Sequence, residues 1–448
     1  MALKKLLEKL NVNSITFNPP FLLSCMLFVL IAIGTCLLKL PIATTRPISW
    51  PEALFISTSA STITGLTPFE IARTFTLFGQ IILLILIQVG SVGVMSFAIL
   101  FFILMGKRVS IRQRQLMQEA LGTPSIGGVI RLVSWLLSFS FIVELFGTIF
   151  FALRFVPDYG WGRGLYYSIF HSISGFNQAG FSLFRGSMAA YVGDPIVNLT
   201  LALLITLGGI GFTVIADLLS TRRFRQLQLH SQIMLIGTVV IDAAAIVIIF
   251  LIEHNNPQTL GMLSHGDQMW AAFFQGISPR TAGFTTVNPS GLNQATLLFI
   301  ILLMFIGAGS TSTGGGIKLT TFMIVIAQVA TFLHGRREVV LNKRTIKRHV
   351  IVRAVSIITI SVLVILLALF LLCLSEKLPF LTILFEVVSA FGTVGLSIGA
   401  TAQLSVFGQF VIMGVMFFGK VGPLTLAFSV ARRSKANIRY PDGEIYTG

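Results

Sequence analysis

Apolar residues along this chain fall in long runs separated by shorter polar stretches, at about 21–38, 77–105, 129–153, 195–219, 230–252, 295–333, 350–374 and 404–430. A helix crossing the hydrocarbon core of a bilayer needs roughly 20 mainly apolar residues. The pattern therefore predicts eight spanning helices. The first run begins late and is followed by Lys39, Leu40 and Pro41 rather than by a small-residue cleavage site, so it is expected to be a retained helix and not a signal peptide. Before it, Leu3, Leu6, Leu7 and Leu10 lie at helical spacing opposite Lys4, Lys5, Glu8 and Lys9. Residues 1–17 thus describe an amphipathic segment on the cytoplasmic membrane face, while a solvated, frayed terminus fits the same pattern.

The polar stretches alternate between two kinds. One is basic: Lys107, Arg108, Arg112 and Arg114; then Arg222, Arg223 and Arg225; then Arg336, Arg337, Lys343, Arg344, Lys347 and Arg348. Together with the Lys-rich start and with Arg432, Arg433, Lys435 and Arg439, eight spans put every cluster on one side, which the positive-inside rule makes cytoplasmic. The expectation is a multi-pass protein of the cell membrane with both termini in the cytoplasm. Composition agrees, since 54% of the 448 residues are apolar and 11% charged; the formal charge of +16 is then a topology signal and not a nucleic-acid surface. Cys25, Cys36 and Cys373 sit in apolar runs without CxxC spacing, which indicates neither a disulfide framework nor a zinc site.

The other kind carries a repeat. Superposing Gly65, Gly180, Gly283 and Gly395 aligns four segments without gaps. Ten residues earlier stand Phe55, Phe170, Phe273 and Phe385; one residue later, Leu66, Phe181, Phe284 and Leu396; two residues later, the hydroxyls of Thr67, Ser182, Thr285 and Ser397. A packing or turn glycine needs no such matched neighbours, so the fourfold repeat is taken as real. Each glycine follows about a dozen moderately apolar residues, too few to cross lipid, and precedes another apolar run. Trp50, Trp161 and Trp270 lead three of the short segments, as suits a membrane interface, and Pro51 is placed for a first helical turn.

A short helix that enters the membrane part way and returns as extended backbone accounts for these features. Such backbone is tolerable at membrane depth only where it lines a wet cavity or is buried in protein. Four returning strands around one axis would direct carbonyls at the centre, where they replace the hydration shell of a monovalent cation. The C-terminal ends of the short helices add partial negative charge there. The candidate ion-binding residues are Ile63, Thr64 and Gly65; Gln178, Ala179 and Gly180; Thr281, Ala282 and Gly283; and Thr393, Val394 and Gly395. The expected fold class is an all-α integral membrane protein with eight transmembrane helices, in four pseudo-symmetric repeats of helix, re-entrant pore loop and helix around one central pore. The repeats cover 18–110, 120–222, 228–336 and 348–431, and 432–448 is a cytoplasmic tail.

This unit, with Ser278-Pro279-Arg280-Thr281-Ala282-Gly283-Phe284 and Gly392-Thr393-Val394-Gly395-Leu396, resembles the Trk/Ktr/HKT superfamily of potassium transporters. The resemblance covers essentially the whole chain, and the eight spans are most like the membrane subunit of bacterial Ktr systems. It implies K+ as the transported ion, because glycine at all four filter positions accompanies potassium preference in that family, and leaves Na+ coupling open. It also implies a homodimer with one pore per subunit, set in membrane lipid on a ring of separate cytoplasmic nucleotide-binding regulatory subunits.

Glycine-rich stretches follow each filter glycine, at 88–93, 207–211, 306–309 and 418–423. The third expands into Gly307, Ala308, Gly309, Ser310, Thr311, Ser312, Thr313, Gly314, Gly315 and Gly316, too flexible and polar to continue as a lipid-facing helix within the run 295–333. A flexible loop inside the pathway is expected, and the family resemblance assigns it as an intramembrane gate; a helix-packing glycine patch is the competing interpretation. Gly309 and Gly314 have Walker A spacing, yet Gly315 stands where that motif needs lysine, which argues against nucleotide binding.

Lys420 is an isolated cation in the last apolar run, where the family often carries arginine; it is expected to face the gate, against the rival of snorkelling to the interface. Glu144, Asp242 and Glu386 are expected to pair with Arg131, Arg353, Arg280 or backbone, and Arg280 to point behind its strand and brace it. The histidines show no HExxH arrangement and no nucleophile elbow is present, so no enzymatic activity is expected. The rival within transport is an alternating-access cation symporter with strict coupling.

Overall fold

The computed structural model describes residues 19–92, 129–221 and 223–422. The amphipathic segment 1–17, the basic cluster around residue 110, Arg222 and the tail beyond 422 lie outside the described residues. Helices dominate: α1 (Pro19–Leu38), α2 (Trp50–Ser61), α3 (Leu77–Val92), α4 (Val129–Phe176), α5 (Pro195–Gly209), α6 (Phe212–Ser220) and α7 (Leu229–Glu253). They continue with α8 (His265–Ile277), α9 (Gln294–Phe305), α10 (Leu319–Leu333), α11 (Arg348–Ser375), α12 (Phe380–Gly392) and α13 (Val406–Val421). Gly160, at φ 80° and ψ 165°, breaks α4 into a long and a short helix.

The short helices start where local chemistry tells them to. Ser49 and Glu52 form a capping box at α2, with Ser49 N donating to Glu52 Oε2 at 2.6 Å, and Pro51 fills the first turn. Ser264 caps α8 through Asp267 N, Asp194 caps α5 ahead of Pro195, and Ser405 caps α13. Trp50 and Trp161, at the openings of two short helices, are exposed.

Among the described residues, α7, α11 and the stretch Ser134–Phe176 of α4 are long and apolar enough to cross a membrane. The pair α5 and α6, bent by 94° at a break, is a fourth if taken as one span. The predicted run 295–333 divides into α9 and α10 around the glycine-rich loop, and the run 77–105 is described only through Val92. Polarity is turned inside out: Phe141, Leu145 and Phe146 of α4, Val239 and Leu251 of α7 and Leu366 and Phe370 of α11 are exposed, whereas Thr62, Thr64, Gln178, Thr281 and Thr393 are buried. An apolar exterior, with polar groups gathered in the interior beside the apolar core, is the distribution that lipid as solvent selects.

Packing closes in a cycle. Each quarter's outgoing helix lies against the next quarter's short helix or its neighbour: α3 on α4, α5 on α8, α9 on α12 and α13 back on α2. One element departs from the all-α expectation. Val340–Leu341 and Arg344–Thr345 pair as a minimal antiparallel hairpin, β1 and β2, within the third basic cluster. Its two-residue turn puts Asn342 at φ 45° and Lys343 at φ 62°, the backbone that tight hairpins need. The Asn342 amide docks the hairpin on Gln232 of α7.

Candidate ion-binding site

After each short helix the chain turns back on itself in the same way. The amide of the residue before each filter glycine returns to the helix end: Thr64 N to Ser59 O at 2.8 Å, Ala179 N to Ser174 O at 2.8 Å, Val394 N to Ser389 O at 2.9 Å, and Ala282 N to Ser278 O at 3.0 Å. The residues two before the glycines all sit at positive φ, Ile63 at 58°, Gln178 at 57°, Thr281 at 73° and Thr393 at 50°. That conformation is uncommon for residues with a Cβ. Its recurrence at one repeat position means that the four strands share a conformation as well as a sequence pattern.

The glycines close the strands into a ring. A Cβ added at Gly65 would lie 2.4 Å from Ala179 O, one at Gly180 3.0 Å from Ala282 O, one at Gly283 2.1 Å from Val394 O, and one at Gly395 2.2 Å from Thr64 O. Each quarter abuts the next and the fourth abuts the first, so the four glycines and the residues before them form a closed cycle of backbone contacts. Positive φ, from 69° to 89°, and the lack of space both demand glycine here. On one side the ring opens into a cavity of about 410 Å³ lined by the four glycines and by Thr67, Ser182, Thr285 and Ser397. The other side, at Gln178, Thr281 and Thr393, faces the loop between α9 and α10.

The ring is held from behind by side chains of the flanking quarters. Leu66, Phe181, Phe284 and Leu396 are all buried, as are Phe55, Phe170 and Phe385, with Phe273 half-buried. Three residues before their glycines, Asn177 and Arg280 reach outward. Asn177 donates to Gln88 Oε1 at 2.8 Å and to Glu144 Oε1 at 2.9 Å, and Gln88 donates to the same carboxylate at 2.9 Å. Among the described residues, the partners of the Glu144 carboxylate are these two amides; the side chain of Arg131, one of the candidate partners, lies outside the description. Glu386 is held by the hydroxyls of Ser397 and Thr401. Asp242 does meet Arg280, Nη1 to Oδ1 at 2.7 Å, with the guanidinium 8% exposed. Thr238 Oγ1 lies 3.5 Å from the other terminal nitrogen.

Removing one partner of a buried ion pair strands the other charge, typically at about 3–5 kcal/mol. Asp242→Asn is accordingly expected to lower the thermal stability of the purified protein severely, and the double variant Asp242→Asn/Arg280→Gln to recover most of the loss. Equal melting temperatures for Asp242→Asn and the parent chain would show that the pair does not brace the strand.

The predicted loop lies directly against the ring. Thr313 Oγ1 is 3.1 Å from Gln178 Oε1, which also accepts from Thr281 Oγ1 at 2.8 Å, and Gly315 N donates to Thr393 Oγ1 at 2.8 Å. From below, Gly309 N bonds Gly209 O at 2.8 Å, Gly316 N bonds Gly419 O at 3.3 Å, and the Thr213 and Thr311 hydroxyls meet at 2.9 Å. Ser310 meets the Thr320 hydroxyl at 3.1 Å, Ser312 closes a turn on Gly309 O at 2.7 Å, and Gly307 stands against Gly315 O. Gly314 sits where a Cβ would lie 2.5 Å from Thr281 Oγ1. Lys420 Nζ donates to Thr313 O at 2.9 Å. A second half-buried lysine, absent from the sequence-based candidates, does the same from the loop's own end: Lys318 Nζ reaches Gly314 O at 2.6 Å. Its signal was that of Lys420, a lone cation within an apolar run.

The other glycine-rich stretches behave differently. Helices α3 and α13 run unbroken through Gly90 and Gly419. A Cβ at Gly90, Gly208 or Gly419 would come within 2.1 Å of the carbonyl of Ser61, Phe176 or Phe391, so these glycines serve close packing against the short helices. Among the described residues, the second quarter bends at Gly211 with φ 102°, α13 ends at Gly422 with φ 90°, and the third quarter opens into a loop.

The family model for TrkH, cation transport protein, matches residues 26–440. The chain belongs to the TrkH family of cation transport proteins. Within the Trk family it is 47% identical over 437 residues to Ktr system potassium uptake protein B of Bacillus subtilis, covering 98% of both chains. It is 44% identical over 414 residues to the protein of the same name from Vibrio alginolyticus, covering 92% of this chain and 91% of that one. Potassium/sodium uptake protein NtpJ of Enterococcus hirae is 34% identical, with 96% and 97% covered. Among solved structures, the potassium transporter TrkH of Vibrio parahaemolyticus superposes with a TM-score of 0.75 over 93% of this chain and 85% of that one. At 18% identity, that likeness establishes the Trk fold alone.

Proposed function

We propose that this chain carries K+ into the cell across the cytoplasmic membrane through a carbonyl-lined filter, built by four repeats and eight spanning helices around one pore. The observation that carries the proposal is the closed ring, in which the backbone of each filter strand abuts the carbonyl before the next strand's glycine. Relatives named for potassium uptake supply the ion, and a relative named for potassium and sodium makes Na+ the second ion to test. Loop 307–316 with Lys420 is the gate below the filter. Control comes from a separate cytoplasmic nucleotide-binding ring on which a homodimer of this chain assembles.

The direct test is rescue of a potassium-uptake-deficient cell at low external potassium, with and without such a cytoplasmic partner. Failure of this chain to restore growth under both conditions rejects potassium uptake. Flux locked to a fixed stoichiometry with a second ion favours an alternating-access symporter instead. The basic hairpin provides a check on orientation, because the positive-inside rule puts it in the cytoplasm. A cysteine at Lys343 is expected to react with membrane-impermeant maleimide only in inverted vesicles. Labelling in intact cells would reverse the topology.

A further inference from the structure

The hydroxyls two residues past the filter glycines have no part in a carbonyl ring, yet Thr67, Ser182, Thr285 and Ser397 all line the cavity above it, each half-buried. In the second and fourth repeats these hydroxyls are held in matching ways, each by a buried side chain eleven residues earlier and a backbone amide two residues later. Ser397 Oγ donates to Glu386 Oε2 at 2.7 Å and accepts from Gly399 N at 3.1 Å. Ser182 Oγ lies 3.0 Å from His171 Nε2 and accepts from Phe184 N at 3.0 Å. The direction of the His171 bond follows from the other ring nitrogen. Nδ1 is 2.7 Å from Tyr167 O, a carbonyl that only accepts, so Nδ1 carries the hydrogen and Nε2 accepts from Ser182. Leu183 N, 3.3 Å from Nε2, points the same way.

His171 and Glu386 are fully buried and share one repeat position, nine residues before the glycine, where the first and third repeats have Ile56 and Phe274. His171 is fixed by stacking on Phe184, with ring centroids 4.5 Å apart. Glu386 is fixed by the second hydroxyl, that of Thr401. A hydroxyl has one hydrogen and two lone pairs. Both serines commit the hydrogen inward and one lone pair to a backbone amide. Thr401 Oγ1 stands 3.2 Å from Ser397 Oγ, but its own hydrogen goes to Glu386. Each serine therefore keeps one lone pair for the cavity, and neither can turn a hydrogen toward an arriving cation without breaking a buried bond.

We infer that Ser182 and Ser397 form an outer cation-capture site above the filter, taking a monovalent cation that still carries part of its water. The site rests on the filter proposed above, whose cyclic order places the second and fourth repeats on opposite sides of the axis. His171 and Glu386 are positioning residues that fix the polarity of the two hydroxyls.

Uptake kinetics of the full chain in a potassium-uptake-deficient cell, normalised to protein in the membrane, test the site. The pair Ser182→Ala/Ser397→Ala is expected to raise KM for external potassium roughly three- to tenfold, the worth of one or two polar contacts, with the effect on KM rather than on maximum rate or sodium exclusion. The pair Ser182→Thr/Ser397→Thr restores the oxygen using the residue that the other repeats already carry, and is expected to keep KM within about twofold. A KM unmoved by the alanine pair, or moved equally by the threonine pair, overturns the site. Gly395→Ser, run alongside, separates the two levels. If that variant is impaired while the alanine pair is silent, the site alone fails; if Gly395→Ser transports normally, the filter falls and the site with it.

Discussion

Serine in place of Gly65, Gly283 or Gly395 is expected to cut potassium uptake at low external potassium by at least about tenfold and to admit sodium, because two penalties act at once. Backbone at positive φ costs a residue with a Cβ roughly 1–2 kcal/mol, and about 1.4 kcal/mol is already a factor of ten in binding. The added Cβ would also sit 2.1 to 2.4 Å from a neighbouring carbonyl oxygen at these three positions. Those oxygens belong to the residues proposed to face the ion, so they have to move, and a distorted ring no longer replaces the hydration shell of one ion size selectively. Gly180 is looser, with 3.0 Å available, and Gly180→Ser is expected to be the mildest of the four. Isotope uptake of potassium and sodium, measured for all four variants at equal expression, checks the order. Wild-type uptake and selectivity throughout the series would remove the filter assignment.

The second large effect is expected in the opposite direction. Lys420→Gln should raise the maximum rate of potassium uptake up to roughly tenfold, since a charge-assisted hydrogen bond holding one state is worth about 1.5–3 kcal/mol. The bond at stake is that from Lys420 Nζ to Thr313 O, which ties the loop between the filter strands and α13. Under the proposed gating role, its loss releases the loop and removes a half-buried positive charge from the proposed route. The filter carbonyls lie on the other side of the loop, so KM should change little. Deleting residues 309–315 should also raise the rate. That deletion additionally removes the contacts of Thr313 with Gln178 and of Gly315 with Thr393, and its KM should shift more than that of Lys420→Gln. A packing role predicts less folded protein and a lower rate from both changes. Rates normalised to protein in the membrane decide between them, and equal or lower rates in both variants would reject the gate.

Much of this was legible in the residues themselves. Apolar run length located the helices, because lipid demands length and composition before anything else. The four glycines announced themselves through their matched neighbours, since a strand that must adopt positive φ against a neighbouring backbone leaves only one residue type at that position. The polar stretch from Gly307 to Gly316 could not be a lipid-facing helix, and it is a loop. Partners were another matter. Arg280 chose Asp242 of α7; Glu144 took the amides of Gln88 and Asn177, and Gly315 found Thr393 in the next quarter. Gly90 and Gly419 pack closely against the short helices, while His171 and the side chain of Gln178 gained partners that no local pattern announced. A residue's own tolerance for lipid, water or unusual backbone is a local property and is written in the sequence. Which buried polar group satisfies which other depends on segments that only the closed ring brings within hydrogen-bond reach, and there the tertiary structure decided.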